Sequence, residues 1–356
     1  MKGVLLHGGQ GTRLRPLTFS GPKQLIPVAN KPVSQHVIED LASIGITDIA
    51  VILGETFPEL VVSYYGDGSR FGVNITYIYQ GRALGIAHAI SLAEPFVKDE
   101  PFVVYLGDDL LQGGIGKYMR AFEEGDYDAM VILKEVEDPR AFGVAEIKDE
   151  RIVRLVEKPA NPPSNLAIVG VYFFRPIVFD VIRSLRPSAR GELEVTDAIQ
   201  ALIDRGYRVG YAIHEGWWLD TGKKDDVILA NQLVLDEKAR RRIDPGATIT
   251  NSKVEGRVEI SEGAVIRDSV VRGPASIAGE AVIESSFIGP YTSIGKGAVV
   301  RAARIQNSVI LERAEVSGVE LEDSLVGRLA RVTGRSNGNG RRIRLSVGDY
   351  STIEVD

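Results

Sequence analysis

Leu6-His7-Gly8-Gly9-Gln10-Gly11-Thr12-Arg13-Leu14, residues 6–14, with Lys23 ten residues beyond Arg13, decides the reading of this chain. The apolar run Met1 to Leu6 precedes it, so a buried strand empties into a glycine turn. Glycines let backbone N–H groups approach an anion closely, and Arg13 and Lys23 add charge that suits a polyphosphate. The spacing is neither G-x-G-x-x-G nor G-x-x-x-x-G-K-[ST], which excludes the dinucleotide fingerprint and the Walker A loop. The bland alternative is a strand-to-helix turn that binds nothing.

Working outward, short apolar runs alternate with amphipathic ones up to about residue 240. Gly3–Leu6, Ile49–Leu53, Ile75–Tyr79 and Phe102–Leu106 read as buried parallel strands. Between them Ser34–Ile44, Thr56–Tyr65 and Ile86–Ala93 read as helices, the last ending before Pro95. That order predicts one sheet with helices on both faces, and ligands beyond the carboxyl ends of its strands. The Gly8 turn, Gln80 and Asp108 each follow such a strand and should line one crevice.

From Ile249 the pattern changes. Aliphatic residues recur at 249, 254, 260, 266, 271, 277, 283, 288, 294, 300 and 305, and three successive intervals always sum to 17. Val316 and Val332 follow at intervals of 16. Steps of five and six do not fit a helix face. They fit a triangular coil with one inward aliphatic residue per side and glycine at the corners, where Gly256, Gly263, Gly279, Gly289, Gly295 and Gly297 fall. The expected architecture is an α/β domain, 1–240, followed by a hexapeptide-repeat parallel β-helix, 241–356, joined by a helical segment Asp225–Arg242. Gly334–Gly340 reads as a loop, and Arg341, Arg342 and Arg344 as a solvated patch.

The bulk numbers bound the function. At 356 residues two domains are expected. A net charge of −6 argues against nucleic acid or an anionic membrane as partner. With no cysteine there is no disulfide, thiol nucleophile or thiolate metal site. No apolar run reaches the ~20 residues that span a bilayer, and no signal-peptide pattern opens the chain, so a cytoplasmic protein is expected.

Two carboxylates stand at strand ends: Asp108 after Phe102–Leu106, and Asp220 after Trp217-Trp218-Leu219. Either alone suits a turn; paired beside a polyphosphate turn they suit Mg²⁺, which takes few protein oxygens and fills its shell with water and phosphate. Glu157-Lys158-Pro159 ends another strand-like run and combines a point charge for phosphate with an acceptor for sugar hydroxyls, although it is also a common surface turn. Gln80 can read a base edge, Gly85 allows close backbone approach, and Arg13 can hold two phosphate oxygens.

Gly8 to Thr18, Lys23-Gln24-Leu25-Ile26-Pro27-Val28 and Asn30-Lys31-Pro32 resemble the signature of the sugar-phosphate nucleotidylyltransferases. The resemblance continues through Tyr105-Leu106-Gly107-Asp108, Phe142-Gly143-Val144, Glu157-Lys158-Pro159, Gly191 to Asp197 and Trp218-Leu219-Asp220-Thr221-Gly222, covering residues 1–240. Lys23-Gln24 is similar to the glucose-1-phosphate thymidylyltransferases, and the added repeats to their long form. The resemblance implies a Rossmann-like nucleotidyltransferase domain, a left-handed β-helix, and dTTP plus α-D-glucose 1-phosphate giving dTDP-glucose and pyrophosphate. It implies Arg13 and Lys23 as catalytic residues, with the nucleotide held by Leu6, Gly8, Gly9, Gly11, Thr12, Arg13, Gln24, Gln80 and Gly85. It places the sugar phosphate on Gly143, Glu157, Lys158 and Val169, and Mg²⁺ on Asp108 and Asp220; the β-helix reads as structural or as an oligomer interface, so a homo-oligomer is expected.

Departures are His7, where a small residue is usual, and Asp109, where asparagine often stands; His7, Ile86 and His88 read as packing residues. UTP or GTP as donor, with glucose or mannose 1-phosphate, is the alternative within the same chemistry. A β-helix acyltransferase would need a histidine base, but the four histidines are 7, 36, 88 and 214, all outside the repeats. A regulatory nucleotide-binding subunit would need fewer of these charged residues together.

Overall fold

A computed structural model of the chain describes residues 1–334 and 342–356. The chain divides into two compact units, Met1–Gln10 with Ser34–Asp220, and Gly11–Val33 with Thr221–Asp356. In this division the segment carrying Arg13 and Lys23 groups with the β-helix.

The first unit is built on β1 (Lys2–His7), with helix α1 (Val33–Ser43) and strand β2 (Asp48–Gly54) following. Then come α2 (Pro58–Tyr65), β3 (Asn74–Gly81), α3 (Ile86–Ser91), β4 (Phe102–Leu106) and β5 (Asp109–Leu111). After α4 (Gly116–Glu124) lie β6 (Ala129–Glu135), β7 (Gly143–Lys148), β8 (Arg151–Glu157) and β9 (Leu166–Phe174). The unit closes with α5 (Ile177–Arg183), α6 (Val195–Asp204), β10 (Val209–Ile213) and β11 (Trp218–Asp220). The four expected strands pair in parallel in the order β4-β1-β2-β3, with antiparallel strands continuing beyond β4. Val4 and Leu6 pack with Ala87 and Ile90 of α3, whereas Gly3 meets Leu41 of α1, so helices cover both faces. Pro95 does not close α3, which stops at Ser91; it sits in the first turn of a separate short helix, Glu94–Val97, where its missing N–H costs no bond.

The glycine stretch is no strand-to-helix turn, since 3₁₀ turns at Thr12–Leu14, Leu17–Phe19 and Lys23–Leu25 and a hairpin, Pro27–Val28 with Lys31–Pro32, follow β1.

In the second unit α7 (Lys224–Lys238) leads into a parallel β-helix of three sheets, which among the described residues have seven, seven and five strands. Ile249, Ile266, Ile283, Val300, Val316 and Val332 stand in register, one above the next. Ile266, Ile283 and Val300 are fully buried, and burial of each such side chain contributes about 1.5–3 kcal/mol. The corners differ from expectation. Gly256, Gly263 and Gly297 are left-handed, but Asn251, Asp268, Ser285 and Ala302 hold the same conformation along one edge. Gly279 and Gly295 serve instead to admit the adjacent coil: a Cβ would lie 2.8 Å from Glu262 O and 2.7 Å from Glu312 N. A buried ladder runs inside, with Ser286 N–H donating to Ser269 Oγ at 3.0 Å and Ala303 N–H to Ser286 Oγ at 3.1 Å. Of the stretch expected as a loop, Gly334 ends a strand, and residues 335–340, with Arg341, lie outside the described residues. Arg342 and Arg344 are exposed but pair with Glu322 and Asp225. Among the described residues no helix is long and apolar enough to cross a membrane.

Candidate active site

In the first unit β1 and β4 end together, and Gly107 N–H donates to Leu6 O at 2.9 Å, which ties the Asp108 turn to the end of β1. β5 then pairs antiparallel with β11, with Asp220 opposite Asp109, Leu219 opposite Leu110 and Trp218 opposite Leu111. Asp108 is therefore one residue from Asp220's cross-strand partner, although 112 positions separate the two in the chain. Asp109 is buried, and a Cβ on Gly170 would lie 1.7 Å from its Oδ2, so its carboxylate occupies the space that glycine leaves. No group of three or more His, Cys, Asp or Glu placed to hold a metal occurs among the described residues. Two carboxylates suit a hard, oxygen-seeking ion that takes its remaining positions from water and phosphate.

Around the Gly8 turn the structure assembles the residues expected at the base. A Cβ on Gly8 would lie 3.5 Å from Gln80 Oε1, while Gln80 Nε2 donates to Gly85 O at 3.2 Å. His88 is more than packing, because its Nδ1 lies 3.2 Å from Gln80 Nε2 and helps fix the amide. Gly85 adopts φ 107°, and a Cβ there would lie 2.4 Å from Leu193 O, so glycine is required on both counts. His7 packs edge-on against Tyr65.

The expected sugar-phosphate residues also converge. Gly143 pairs with Glu157 across β7 and β8, and a Cβ on Gly143 would lie 3.3 Å from Glu157 Oε2. Thr196 Oγ1 donates to the same carboxylate at 3.4 Å, and Lys158 Nζ stands 3.7 Å from Glu157 Oε1. Burial raises the Glu157 pKa, and neighbouring Glu194 adds to the rise, while Lys158 and Arg190 oppose it. Val169 is fully buried, in the stretch where β9 breaks register between Ile168 and Tyr172. A cavity of about 600 Å³ lies beside Glu157, lined among others by Arg154, Arg190, Glu194 and Asp197. Sequence reasoning passed over Arg190, which approaches Glu157 at 3.5 Å and Glu194 at 3.2 Å. Its signal was its position, directly before Gly191-Glu192-Leu193-Glu194.

The remaining expected residues belong to the second unit. Gly11 is left-handed, with φ 61°, and a Cβ would lie 3.2 Å from Lys23 Cβ, so the turn and Lys23 pack together. Thr18 Oγ1 donates to Gly11 O at 2.7 Å. Thr12 and Arg13 are exposed on this turn, whereas Gln24 is fully buried. Arg13 also lines a cavity of about 750 Å³ with Lys223, Lys224, Asp225, Arg344 and Ser346.

A family model described as nucleotidyl transferase matches residues 2–237. The chain belongs to this nucleotidyl transferase family. Over its whole length it is 43% identical to a glucose-1-phosphate thymidylyltransferase of Streptomyces antibioticus, covering 99% of that protein. It is 52% identical to a low-salt glycan biosynthesis nucleotidyltransferase of Haloferax volcanii, over 73% of this chain and 72% of that one. A crystal structure of a Bacillus anthracis protein, described as a candidate glucose-1-phosphate thymidylyltransferase with sucrose bound, superposes with a TM-score of 0.62 at 42% identity. The match covers 65% of this chain and 94% of that one. The match of this nucleotidyl transferase to the Streptomyces antibioticus protein spans the repeat-bearing part of the chain as well as the α/β part.

Proposed function

We propose that the chain transfers a thymidylyl group from dTTP to α-D-glucose 1-phosphate, giving dTDP-glucose and pyrophosphate with Mg²⁺ as cofactor. The observation that carries the reading is the β5–β11 register, which sets Asp220 opposite Asp109, the residue after Asp108, in the chain segment that follows the ends of β1 and β4. Residues 1–240 are proposed as the catalytic part and 241–356 as the β-helix, in a cytoplasmic homo-oligomer.

In this reading a phosphate oxygen of the sugar attacks the α-phosphorus in line, the bond to the bridging oxygen breaks, and pyrophosphate leaves with that electron pair. No protein nucleophile is needed, so the residues contribute position and charge. Asp108 and Asp220 would hold Mg²⁺, which offsets charge on phosphate oxygens when bound. Arg13 and Lys23 neutralise the nucleotide phosphates. Leu6, Gly8, Gly9, Gly11 and Thr12 present backbone to the nucleotide, and Gln80 with Gly85 orients the base. Gln24, fully buried on the same segment, completes the nucleotide-binding set. Glu157 accepts sugar hydroxyls, Lys158 meets the sugar phosphate, and Gly143 and Val169 shape the pocket.

A pyrophosphate-release screen of every nucleoside triphosphate against several hexose 1-phosphates tests the assignment. The highest kcat/KM is expected for dTTP with glucose 1-phosphate. A preference for UTP or GTP, or for another hexose, would reassign the substrates within the family.

A further inference from the structure

The segment Gly11–Val33, which carries Arg13 and Lys23, forms one compact unit with the β-helix. Two buried polar nodes hold it there. At the first, Asn231 of α7 is fully enclosed; its Oδ1 accepts Ala29 N–H at 2.9 Å and Ser293 Oγ–H at 2.6 Å, while Nδ2 donates to Tyr291 O at 2.9 Å. Next to it Asn30 Nδ2 lies 2.9 Å from Ser276 Oγ, 3.0 Å from Ser276 O and 3.1 Å from Ile294 O. Ala29 and Asn30 both have left-handed backbone, φ 50° and 62°, which for alanine persists only when its surroundings hold it.

The second node is Asp349, whose side chain is 3% exposed. It accepts Ser20 Oγ–H at 2.6 Å, Arg328 N–H at 2.7 Å and Arg328 Nε–H at 3.0 Å. Beside it Pro16 rests on Gly348, where a Cβ would lie 2.9 Å from Pro16 Cβ. Residues 16–20 and 29–30 are thus anchored on separate coils, and Lys23 lies between them. The Arg13 turn joins the same anchorage through Thr18 Oγ1 and Gly11 O.

We propose that the β-helix is a positioning element of the reaction, with Asn231 and Asp349 as positioning residues that fix the segment bearing Arg13 and Lys23. The proposal rests on the nucleotidyl-transfer reading for the roles of those two cations. Buried hydrogen-bonded groups leave unsatisfied partners when truncated, and a shift of about 1 Å in a reacting group costs up to ~10²-fold in rate.

The test uses full-length Asn231→Ala, Asp349→Ala and the milder Ser20→Ala, with Ser286→Ala in the β-helix ladder as control. The expected result is a fall in kcat of about 10- to 100-fold for the first two and about threefold for Ser20→Ala, with KM for glucose 1-phosphate within about twofold. Amide exchange should speed up across 11–33 while β1 and β4 stay protected. Ser286→Ala should lower Tm and leave kcat unchanged. A kcat in all three variants within about twofold of the control, or unchanged exchange across 11–33, overturns the proposal. A wild-type chain inactive with every nucleotide and sugar phosphate would instead sink the reaction reading, and the exchange experiment would still decide whether the β-helix fixes the segment.

Discussion

Asp220 stands directly opposite Asp109 in the β5–β11 pair, and Asp108 is the next residue along. Two neighbouring carboxylates therefore compete for one role, and their surroundings separate them. Asp109 is turned against Gly170 and close enough to Tyr105 and Tyr172 to add to the rise that burial imposes on both phenols. Asp108→Asn and Asp220→Asn should each lower kcat by about 10³-fold, the loss of several kcal/mol of charge stabilisation, with little change in Tm. Asp109→Asn should cost less than about tenfold. Pyrophosphate-release kinetics and thermal melts on the three variants check this.

Gly170 leaves the space that Asp109 fills. A methyl group there would overlap the carboxylate and crowd Leu106, whose Cδ1 would lie 2.7 Å away. Gly170→Ala should destabilise the chain by about 1–3 kcal/mol, the usual range for overpacking. Urea unfolding would reveal it as a lower midpoint at unchanged m-value.

Glu157 sets a pH dependence. Its folded pKa is raised from 4.5, chiefly by burial. Between that ordinary value and the raised one, the native state holds a proton that the unfolded chain releases, so this group's contribution to stability falls as pH rises through the window. Function runs the other way, since the ionised form accepts hydroxyls better. KM for glucose 1-phosphate should rise as pH drops through the raised pKa in the wild type and stay flat, though higher, in Glu157→Gln. A wild-type KM whose pH dependence above 4.5 matches that of Glu157→Gln would count against the hydroxyl-acceptor role.

His214 links stability to the strand that bears Asp220. The buried Tyr118 hydroxyl lies 2.7 Å from its Nδ1, and its Nε2 lies 3.0 Å from Trp217 O. In the neutral ring both contacts are satisfied with the proton on Nε2, which donates to Trp217 O while Nδ1 accepts from the Tyr118 hydroxyl. Burial depresses its pKa from 6.5, Lys117 and Lys134 adding to the fall and the Trp217 carbonyl opposing it. A depressed pKa gives stability that is complete above 6.5 and lost as pH falls below it. Thermal melts from pH 7.5 to 5 should fall less steeply in His214→Gln than in the wild type.

The strands of the parallel sheet and the inward positions of the β-helix were legible because apolar periodicity reports burial directly. Ile249 to Ile305 read as coil sides and stack as coil sides. Corner chemistry was not legible, since a left-handed corner accepts Asn251 or Ala302 where neighbouring coils hold it. The division into units also escaped the sequence, because Asn30 and Asn231 carry no periodic mark and reveal their partners only in three dimensions. The candidate site was legible residue by residue as strand-end turns, but the contact of Gly170 with Asp109 depends on register across distant strands, and the bond from Gln80 Nε2 to His88 Nδ1 on how α3 returns toward the end of β3.

Titration of the wild-type chain and its Asp108→Asn, Asp220→Asn and Asp109→Asn variants with Mn²⁺ in the presence of dTTP, followed by electron paramagnetic resonance, tests the account most directly. One protein-bound ion per wild-type chain is expected, with affinity reduced at least about tenfold, or roughly 1.4 kcal/mol, at 108 and 220 and retained at 109. Equal Mn²⁺ binding by the wild type and the Asp108 and Asp220 variants would contradict it.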